Sequence, residues 1–471
     1  MAASREQFSS RLGFVLAAAG SAVGIGNLVG FPVAVTKGGG GAFLFLYVMF
    51  TFLLCLPVML AELSLGRRTQ KDPIGAYLQQ TPARSAWRLL GLLAFITPFM
   101  IAVFYMVITV WIFRYFVEIS SGNLHELVKP DALTNFVNSP EIFVYLLAVG
   151  GFVLFILASG VKNGIEKAAK VMMPLLFIML VGLVLFVLSL DNALVGLRYY
   201  VIPDVSKLNA TVVNTALSQA FFSLSLGMGI LITYGSYLSQ SESITQSAIL
   251  IALADTTVAF FAGLLILPAI FVVDPSADPA KLSDSSVTMI FNYLPKLFIE
   301  LEGVIGFWGG SILAAAFFLL VFIAAITSLV SIIEVPNSSL IDTFKMKRKH
   351  ALLKLSFPIL ILFVCCICSF GMFEFLTSFA HYAGQSKSFF DLIVDLFYET
   401  ILPLNGLLIC LFVRYRWKNK LDLELQIGDA NYQNSMLKKY LDWSLVTLIP
   451  LILFFVFLNT VFHKFWGISV F

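Results

Sequence analysis

Charged residues are scarce in this chain. Aspartate, glutamate, lysine and arginine make up 12% of the 471 residues, whereas hydrophobic residues make up 59%. A water-soluble core cannot use that much apolar surface, so the composition excludes an ordinary soluble domain and predicts a polytopic membrane protein. The net charge of +3 is small, and no tract of basic residues indicates nucleic acid as a partner. Membrane lipid is therefore the first partner that we expect.

The chain also has few residues suited to redox or catalytic chemistry. The cysteines Cys55, Cys365, Cys366, Cys368 and Cys410 all lie in apolar segments, where a buried and inert thiol is typical. The four histidines fall outside the predicted spans or, like His463, at the end of one, and no nucleophile–base motif accompanies them. We therefore expect neither an extracellular disulfide framework nor an enzyme.

Long apolar runs are plentiful and predict eleven membrane spans. They cover about residues 11–36, 41–66, 88–117, 142–160, 166–189, 212–238, 245–272, 304–341, 351–373, 390–413 and 440–463. Most of the 30 lysines and arginines fall in loops on the same side as the N-terminus, which predicts a cell-membrane protein with a cytoplasmic N-terminus and an external C-terminus. We expect no cleavable signal, because the first apolar run is too long.

Two of these spans contain many residues that weaken a helix. The first span contains "AAAGSAVGIGNLVGFP", residues 17–32, and the sixth contains "SQAFFSLSLGMG", residues 218–229. Interrupted segments at corresponding positions of two halves are typical of a transporter binding site. We therefore predict one transmembrane domain, with a first repeat at 11–189, a second at 212–413 and an extra span at 440–463.

The glycines of the first span have two possible explanations. Gly20-x-x-x-Gly24 and Gly26-x-x-x-Gly30 fit the spacing of close helix packing. However, Gly24 and Gly26 are two residues apart, so packing on one face cannot explain both. Asn27 also places an amide at mid-membrane depth, which is unfavourable unless the amide binds something. We favour a helix break, where unwound backbone frees carbonyls for cations and N–H groups for anions.

Five segments carry a resemblance to a known family. In chain order they are "SRLGFVLAAAGSAVGIGNLVGFP", "GGGGAFLFLY", "AELSLGR", "QAFFSLSLGMGILITYGSY" and "AAITSLVSIIE". They resemble signatures of the neurotransmitter:sodium symporter family, in its bacterial amino-acid branch. With Arg5 and Asp342, which also match, the resemblance extends from residue 5 to about 342. The resemblance implies an all-α fold of five plus five inverted-repeat helices with broken first and sixth helices. It also implies sodium-coupled amino-acid uptake by alternating access.

The resemblance implies two sodium sites, and all of their ligands are oxygen atoms, which hard cations prefer. The first site would use the Ala22 carbonyl, the Asn27 side chain, the Ser223 carbonyl and hydroxyl, and the Asp255 carboxylate. The second would use the carbonyls of Gly20, Val23 and Ala324 and the hydroxyls of Thr327 and Ser328. From the residues alone, both hydroxyls could instead bond back to their own helix.

The resemblance also implies a site for an α-amino acid. Gly24 stands where amine-transporting relatives carry an acidic residue, so the substrate's own carboxylate has room there. The N–H groups of Gly24 and Gly26 and the Tyr105 hydroxyl would bind that carboxylate. The substrate site as a whole would comprise Ala22, Gly24, Ile25, Gly26, Ile101, Tyr105, Phe222, Ser223, Ser225, Met228, Ser328 and Ile332. Its side-chain pocket (Ile101, Phe222, Ser225, Met228 and Ile332) is mostly apolar, which favours an apolar or aromatic substrate.

The family's inner gate matches in this sequence, whereas the outer gate does not. The inner gate would be an ion pair of Arg5 with Asp342, supported by Ser236 and Tyr237. At the outer gate the family's arginine is replaced by Gly30, and its acidic partner aligns loosely with Asp395. Tyr105 and Phe222 would then provide most of the occlusion.

Two further features concern buried charge. Glu62 matches the family pattern in the second span, where a lone carboxylate needs a partner. Tyr47, Gln219 and Ser223 match residues that hold chloride in chloride-dependent relatives. Here, however, Asp255 replaces an asparagine and Ala259 replaces a serine. The fixed carboxylate would supply the negative charge, so we expect two sodium ions and no dependence on chloride.

Two other functions stay open at this point. One is a symporter of the same fold for a β- or γ-amino acid or taurine, which the replacement at Gly30 keeps possible. The other is a transporter-derived receptor that binds solute without moving it. Intact Asn27, Thr327 and Ser328 argue against a receptor.

Overall fold

The computed structural model describes residues 6–278, 287, 289–417, 419–427, 429 and 431–468. In these residues, nine helices are long and apolar enough to cross a membrane, and a bent pair forms a tenth candidate. The nine are Gly41–Thr69, Ala86–Ser120, Glu141–Ala158, Val161–Leu188, Ile244–Val273, Phe307–Asp342, Arg348–Cys368, Phe389–Trp417 and Met436–Trp466. A polytopic membrane protein is therefore confirmed, whereas the count of eleven spans stays a prediction.

The helices of the first half precede residue 210. They are α1 (Arg11–Ala22), α2 (Phe31–Lys37), α3 (Gly41–Phe50), α4 (Leu56–Thr69), α5 (Pro73–Gln80), α6 (Leu89–Ser120), α7 (Leu124–Leu127), α8 (Ala132–Val137), α9 (Glu141–Ala158), α10 (Lys167–Leu188) and α11 (Ala193–Val201). Short π-helical or 3-10 stretches cover Gly26–Gly30, Thr51–Cys55, Ala86–Arg88, Val161–Glu166 and Val205–Lys207.

The second half is also helical apart from one hairpin. Its helices are α12 (Ala210–Ser223), α13 (Ile230–Gly235), α14 (Ile244–Val273), α15 (Leu294–Ile305), α16 (Phe307–Asp342), α17 (Arg348–Cys368), α18 (Glu374–Thr377), α19 (Phe389–Ile393), α20 (Leu402–Phe412), α21 (Asn419–Leu425), α22 (Met436–Trp443) and α23 (Ile449–Val461). The π-helical or 3-10 stretches are Met289–Tyr293, Val394–Ile401, Val413–Trp417, Tyr432–Asn434, Ser444–Leu448 and Phe462–Trp466. The strands β1 (Ala380–Tyr382) and β2 (Gln385–Lys387) pair antiparallel, with Ala380 opposite Lys387. This small hairpin does not change the fold class, so the all-α prediction is confirmed.

The first span is broken, as the sequence predicts. Helix α1 begins at Arg11 and is capped by Ser10, whose side chain accepts the Gly13 N–H at 3.1 Å. It ends at Ala22, because Val23 adopts an extended backbone. The chain resumes as the π-helical turn and α2, bent by 51° from α1. The bend exposes backbone groups around Gly24 in the interior of the protein.

The sixth predicted span is also broken. Helices α12 and α13 are too short to cross a bilayer separately. Between them, Ser225, Gly227 and Gly229 have φ values of 55°, 76° and 70°, in the left-handed region that interrupts a right-handed helix. A Cβ atom at Gly227 would lie 2.7 Å from the Leu402 carbonyl oxygen, so glycine is also required there for space. The prediction of two broken helices is therefore confirmed.

Helix α1 packs against α14 and α16, and α16 packs along α6. In the most apolar stretch of α16, 83% of the residues are buried, compared with 28% in the corresponding stretch of α9. Leu147 of α9 and Ile178 of α10 are among the exposed side chains, which suits a lipid-facing surface. Both broken helices thus lie beside buried helices rather than at the lipid boundary.

Close packing of α4 against α13 depends on glycine. A Cβ atom at Gly66 would collide with the Ile232 carbonyl oxygen, and one at Gly235 would lie 2.5 Å from the Leu63 carbonyl oxygen. We expect Gly66→Ala to lower the thermal unfolding temperature of the purified protein, because overpacking typically costs about 1–3 kcal/mol. Gly150→Ala is the matched control, since a Cβ atom there meets nothing within 4 Å. Equal unfolding temperatures for the two variants would contradict this packing.

Candidate functional site

A buried cluster of oxygen-bearing side chains joins the two broken helices to α14. The Asn27 side-chain amide donates to Asp255 Oδ1 at 2.7 Å and to Ser223 Oγ at 2.9 Å. The Ser223 hydroxyl lies 2.8 Å from Asp255 Oδ1, and all three side chains are almost fully buried. Helix α12 ends at Ser223, and Asn27 lies just after the break at Ala22, so the breaks bring these residues to the carboxylate. The structure thus brings together the three side chains predicted for the first sodium site.

Tyr47 belongs to the same cluster, whereas Gln219 lies beside it. The Tyr47 hydroxyl lies 3.0 Å from both Asp255 Oδ2 and Ser223 Oγ. The Gln219 amide instead donates to the Gly26 carbonyl at 2.9 Å. Among the salt bridges formed within the described residues, none includes Asp255. The buried carboxylate therefore has hydrogen-bond donors around it but no cationic side chain, a set of atoms that fits a monovalent cation.

A second cluster lies where α1 meets α16. Ser328 Oγ lies 3.3, 3.1 and 3.3 Å from the carbonyl oxygens of Gly20, Ser21 and Val23, the last carbonyls before the break. The Thr327 hydroxyl instead donates to the Ala324 carbonyl of its own helix at 3.0 Å. The structure thus brings together the residues predicted for the second sodium site. The hydrogen bond from a hydroxyl to its own helix, the alternative considered from sequence, is present at Thr327.

Space around Gly24 is restricted. A Cβ atom there would lie 2.6 Å from Ser328 Oγ and 2.7 Å from the Tyr105 hydroxyl. The Gly24 N–H donates to Asn27 Oδ1 at 3.1 Å, and the Ile25 N–H donates to the Tyr105 hydroxyl at 3.2 Å. At the site predicted for the substrate carboxylate, the Tyr105 hydroxyl therefore lies next to the broken helix and accepts the Ile25 N–H, while the Gly24 N–H is bonded to Asn27.

A cavity of about 250 Å³, here called the vestibule, begins at this point. It is lined by Ile25, Gly26, Gly30, Phe104, Tyr105, Ile108, Gln219, Phe222, Val287, Phe390, Val394, Tyr398 and Glu399. Phe222 covers Gly26, where an added Cβ atom would lie 2.8 Å from the ring. Of the residues predicted for the side-chain pocket, Phe222 borders the vestibule. Ile101, Ser225, Met228 and Ile332 are buried outside its lining.

The predicted inner gate is described only in part. Arg5 lies outside the described residues. Asp342 accepts the Asp72 N–H at 3.1 Å, and Ser236 donates to the Thr233 carbonyl. The Tyr237 hydroxyl donates to Glu334 Oε1 at 2.7 Å, and Arg348 pairs with Glu334 at 2.9 Å.

Sequence reasoning missed this Glu334–Arg348 pair at the inner gate. The only sequence signal was a carboxylate in the apolar run of the eighth predicted span.

Two acidic residues singled out from the sequence have partners. Glu62 Oε1 accepts the Gly227 N–H at 2.7 Å, so the carboxylate of the second span binds the break in the sixth. Asp395 pairs with Lys464 at 3.2 Å and accepts the Tyr382 hydroxyl at 2.8 Å. Sequence reasoning missed Lys464, which follows the last predicted span.

Two discontinuous helices around buried oxygen clusters define the class: a secondary transporter with its ion and solute sites at the breaks. Comparison with known proteins agrees. A sequence profile of the sodium:neurotransmitter symporter family matches residues 5–128 and 136–464. The uncharacterized sodium-dependent transporter YhdH of Bacillus subtilis is 33% identical over 463 residues, which is 97% of each chain. An uncharacterized sodium-dependent transporter of Haemophilus influenzae is 31% identical over 474 residues, 97% of this chain and 98% of the relative.

A solved structure agrees as well. The crystal structure of MhsT in complex with L-phenylalanine is 35% identical, with a TM-score of 0.82 over 97% of this chain and 99% of MhsT. This chain belongs to the sodium:neurotransmitter symporter family. It is therefore a sodium-dependent membrane transporter and not an enzyme, which confirms both the resemblance and the predicted class.

Proposed function

We propose that the protein imports an apolar or aromatic α-amino acid across the cell membrane by sodium-coupled alternating access. The observation that carries this proposal is the buried Asn27–Ser223–Asp255 cluster at the two helix breaks, beside a glycine with no room for a side chain. The N-terminus would be cytoplasmic and the C-terminus external. The two repeats would be residues 11–189 and 212–413, with 440–463 as an additional span.

Two sodium ions would travel with the substrate. Asp255, Asn27 and Ser223 would bind the first, together with the Ala22 carbonyl. Their present hydrogen bonds fix the oxygens within a few ångströms of one another. Thr327 and Ser328 would bind the second with the carbonyls of Gly20, Val23 and Ala324. The short contacts of Ser328 with the last carbonyls of α1 support this second site.

The substrate carboxylate would lie between Tyr105 and the unwound backbone at Gly24, Ile25 and Gly26. The Tyr105 hydroxyl and the Ile25 N–H already lie within hydrogen-bond distance of each other, so both would turn toward one acceptor. An acidic side chain at Gly24 would meet Tyr105 and Ser328 at once. The crowding supports a substrate that brings its own carboxylate rather than an amine without one.

The side chain of the substrate would contact apolar groups. Ile101, Phe222, Met228 and Ile332 carry no charge, and each methylene buried against them contributes about 0.8 kcal/mol, roughly fourfold in affinity. A charged side chain would need a partner that these residues do not offer. MhsT, whose structure contains L-phenylalanine, supports an aromatic or apolar substrate.

Counterflow of a labelled amino acid in proteoliposomes, competed with a full substrate panel, tests this assignment. We expect leucine, methionine and phenylalanine to compete strongly in sodium medium, and glutamate and lysine to compete weakly. No exchange should occur in sodium-free medium buffered against proton gradients. Preference for taurine or γ-aminobutyrate would instead establish the alternative solute class. Binding of an amino acid without any counterflow would indicate a receptor.

Chloride should not be required. Asp255 supplies a fixed negative charge next to Tyr47 and Ser223, and a chloride beside that carboxylate would be repelled. Initial uptake should therefore be unchanged when chloride is replaced by gluconate at constant sodium. A requirement for chloride would show that the charge of Asp255 is neutralised by some other group.

A further inference from the structure

Tyr398 places an aromatic ring on the substrate site from a different segment than those that carry the predicted occluding residues Tyr105 and Phe222. Its ring centroid lies 4.2 Å from that of Phe222, with the rings at 76°, and 5.7 Å from that of Phe104, at 77°. Both partners line the vestibule, as does Tyr398. Edge-to-face pairs of this kind are favourable and specific in geometry. Tyr398 therefore packs on two aromatic rings of the vestibule, one of which, Phe222, covers the broken first helix at Gly26.

The backbone that holds Tyr398 is unusual. It belongs to the π-helical stretch Val394–Ile401, and such stretches frequently occur at functional sites. Asp395 and Glu399, on either side of Tyr398 in the sequence, both pair with Lys464, at 3.2 and 2.6 Å. One lysine thus bridges two carboxylates of the helix that carries the ring.

Lys464 is itself held in place. The neighbouring Phe465 carbonyl accepts the Ala383 N–H of the β-hairpin at 3.2 Å, and Tyr382 of that hairpin donates to Asp395. The ion pairs therefore join the π-helical stretch to the last helix and the hairpin. They do not cross the vestibule to Gly30, where the family's arginine would stand.

We propose that Tyr398 is a third lid residue over the substrate site, and that Lys464 positions it through Asp395 and Glu399. Anchoring by Lys464 holds the helix, while the ring of Tyr398 closes on Phe222. An aromatic contact thereby replaces the charge pair that Gly30 cannot form. This inference rests on the proposed function, because it assumes that the substrate lies beneath Phe222.

Cysteine accessibility tests the lid without any substrate. The measurement is the rate at which a membrane-impermeant thiol reagent labels an introduced cysteine in sodium medium. Ile25→Cys would report on access to the broken helix, and Ile108→Cys on access to the vestibule wall. We expect Tyr398→Ala to speed labelling at position 25 about fivefold, the size of one lost aromatic pair. Labelling at position 108 should be unchanged. Tyr398→Phe, which keeps the ring, should behave like the parent, and the parent without an added cysteine gives the background.

The positioning role of Lys464 has its own variants. Lys464→Met should speed labelling at position 25, whereas Lys464→Arg should restore the parent rate. If Tyr398→Ala unfolds, Tyr398→Leu removes the ring with a smaller loss of volume. Unchanged labelling at position 25 in both Tyr398→Leu and Lys464→Met would overturn the inference. Failure of the parent to exchange any amino acid would overturn the proposed function instead, and the labelling result would still decide whether Tyr398 is a lid.

Discussion

Asp255→Asn should abolish sodium-driven uptake while the protein remains folded. The carboxylate is fully buried and accepts hydrogen bonds from Asn27, Ser223 and Tyr47. In the proposed mechanism it is the negatively charged side chain that binds the first sodium ion. Removing one partner of a buried charge pair costs about 3–5 kcal/mol, so initial uptake should fall at least about a hundredfold. Sodium-dependent uptake of labelled leucine into proteoliposomes measures this loss.

The control for Asp255→Asn is a second change on the same helix. Ala259 is buried one turn along α14 from Asp255, at the position where chloride-dependent relatives have a serine. In Asp255→Asn combined with Ala259→Ser, uptake should return in chloride and be absent in gluconate. Exposed Asp204→Asn should leave uptake unchanged. Full uptake by Asp255→Asn alone would contradict the assignment of Asp255 to the sodium site.

Replacing Thr327 and Ser328 together with alanine should also eliminate sodium-driven accumulation. The Ser328 hydroxyl contacts three carbonyls at the end of α1, and Thr327 lies beside Gly20 in the packed structure. Hydrogen bonds and contacts to a charged group contribute about 1.5–3 kcal/mol each, so losing two should lower sodium affinity about a hundredfold or more. Uptake measured over a range of sodium concentrations would detect this change as a shift to higher sodium.

Ser311→Ala is a suitable comparison for the double variant. Ser311 lies on the same helix, α16, and its buried hydroxyl has no hydrogen-bond partner among the described residues. Its removal should leave the sodium dependence unchanged. If the Thr327 and Ser328 variant accumulates substrate normally in low sodium, the second sodium site is wrong, and the hydroxyls serve only their own helices.

The sequence predicts local features of the site well. Closely spaced glycines, an amide at mid-membrane depth and a following proline all weaken a helix at one place, so the first break can be located from residues 17–32 alone. The backbone confirms it, because Val23 is extended and ends α1. These effects act between neighbours in the chain and need no knowledge of the fold.

Partnerships between distant segments could not be predicted in the same way. Lys464 lies 69 residues from Asp395, and nothing in either local sequence indicates which charge faces which. The partner of Glu62 is likewise a backbone N–H, which no sequence pattern marks. Such pairings depend on how whole helices pack, so the missing arginine at Gly30 could be noticed but the group near Asp395 could not be named.

The left-handed residues of the sixth span also constrain how the protein can move. A continuous helix could unwind and rewind during each transport cycle, but Gly227 and Gly229 hold a backbone geometry that a right-handed helix does not contain. The Glu62 carboxylate accepts the Gly227 N–H, and the Leu402 carbonyl leaves no room for a side chain at Gly227, so two neighbouring helices constrain that geometry. The segment between α12 and α13 can therefore form a continuous right-handed helix only if both glycines change conformation. Alternating access would then proceed by rotation of preformed half-helices, without the kinetic barrier of nucleating a new helical turn.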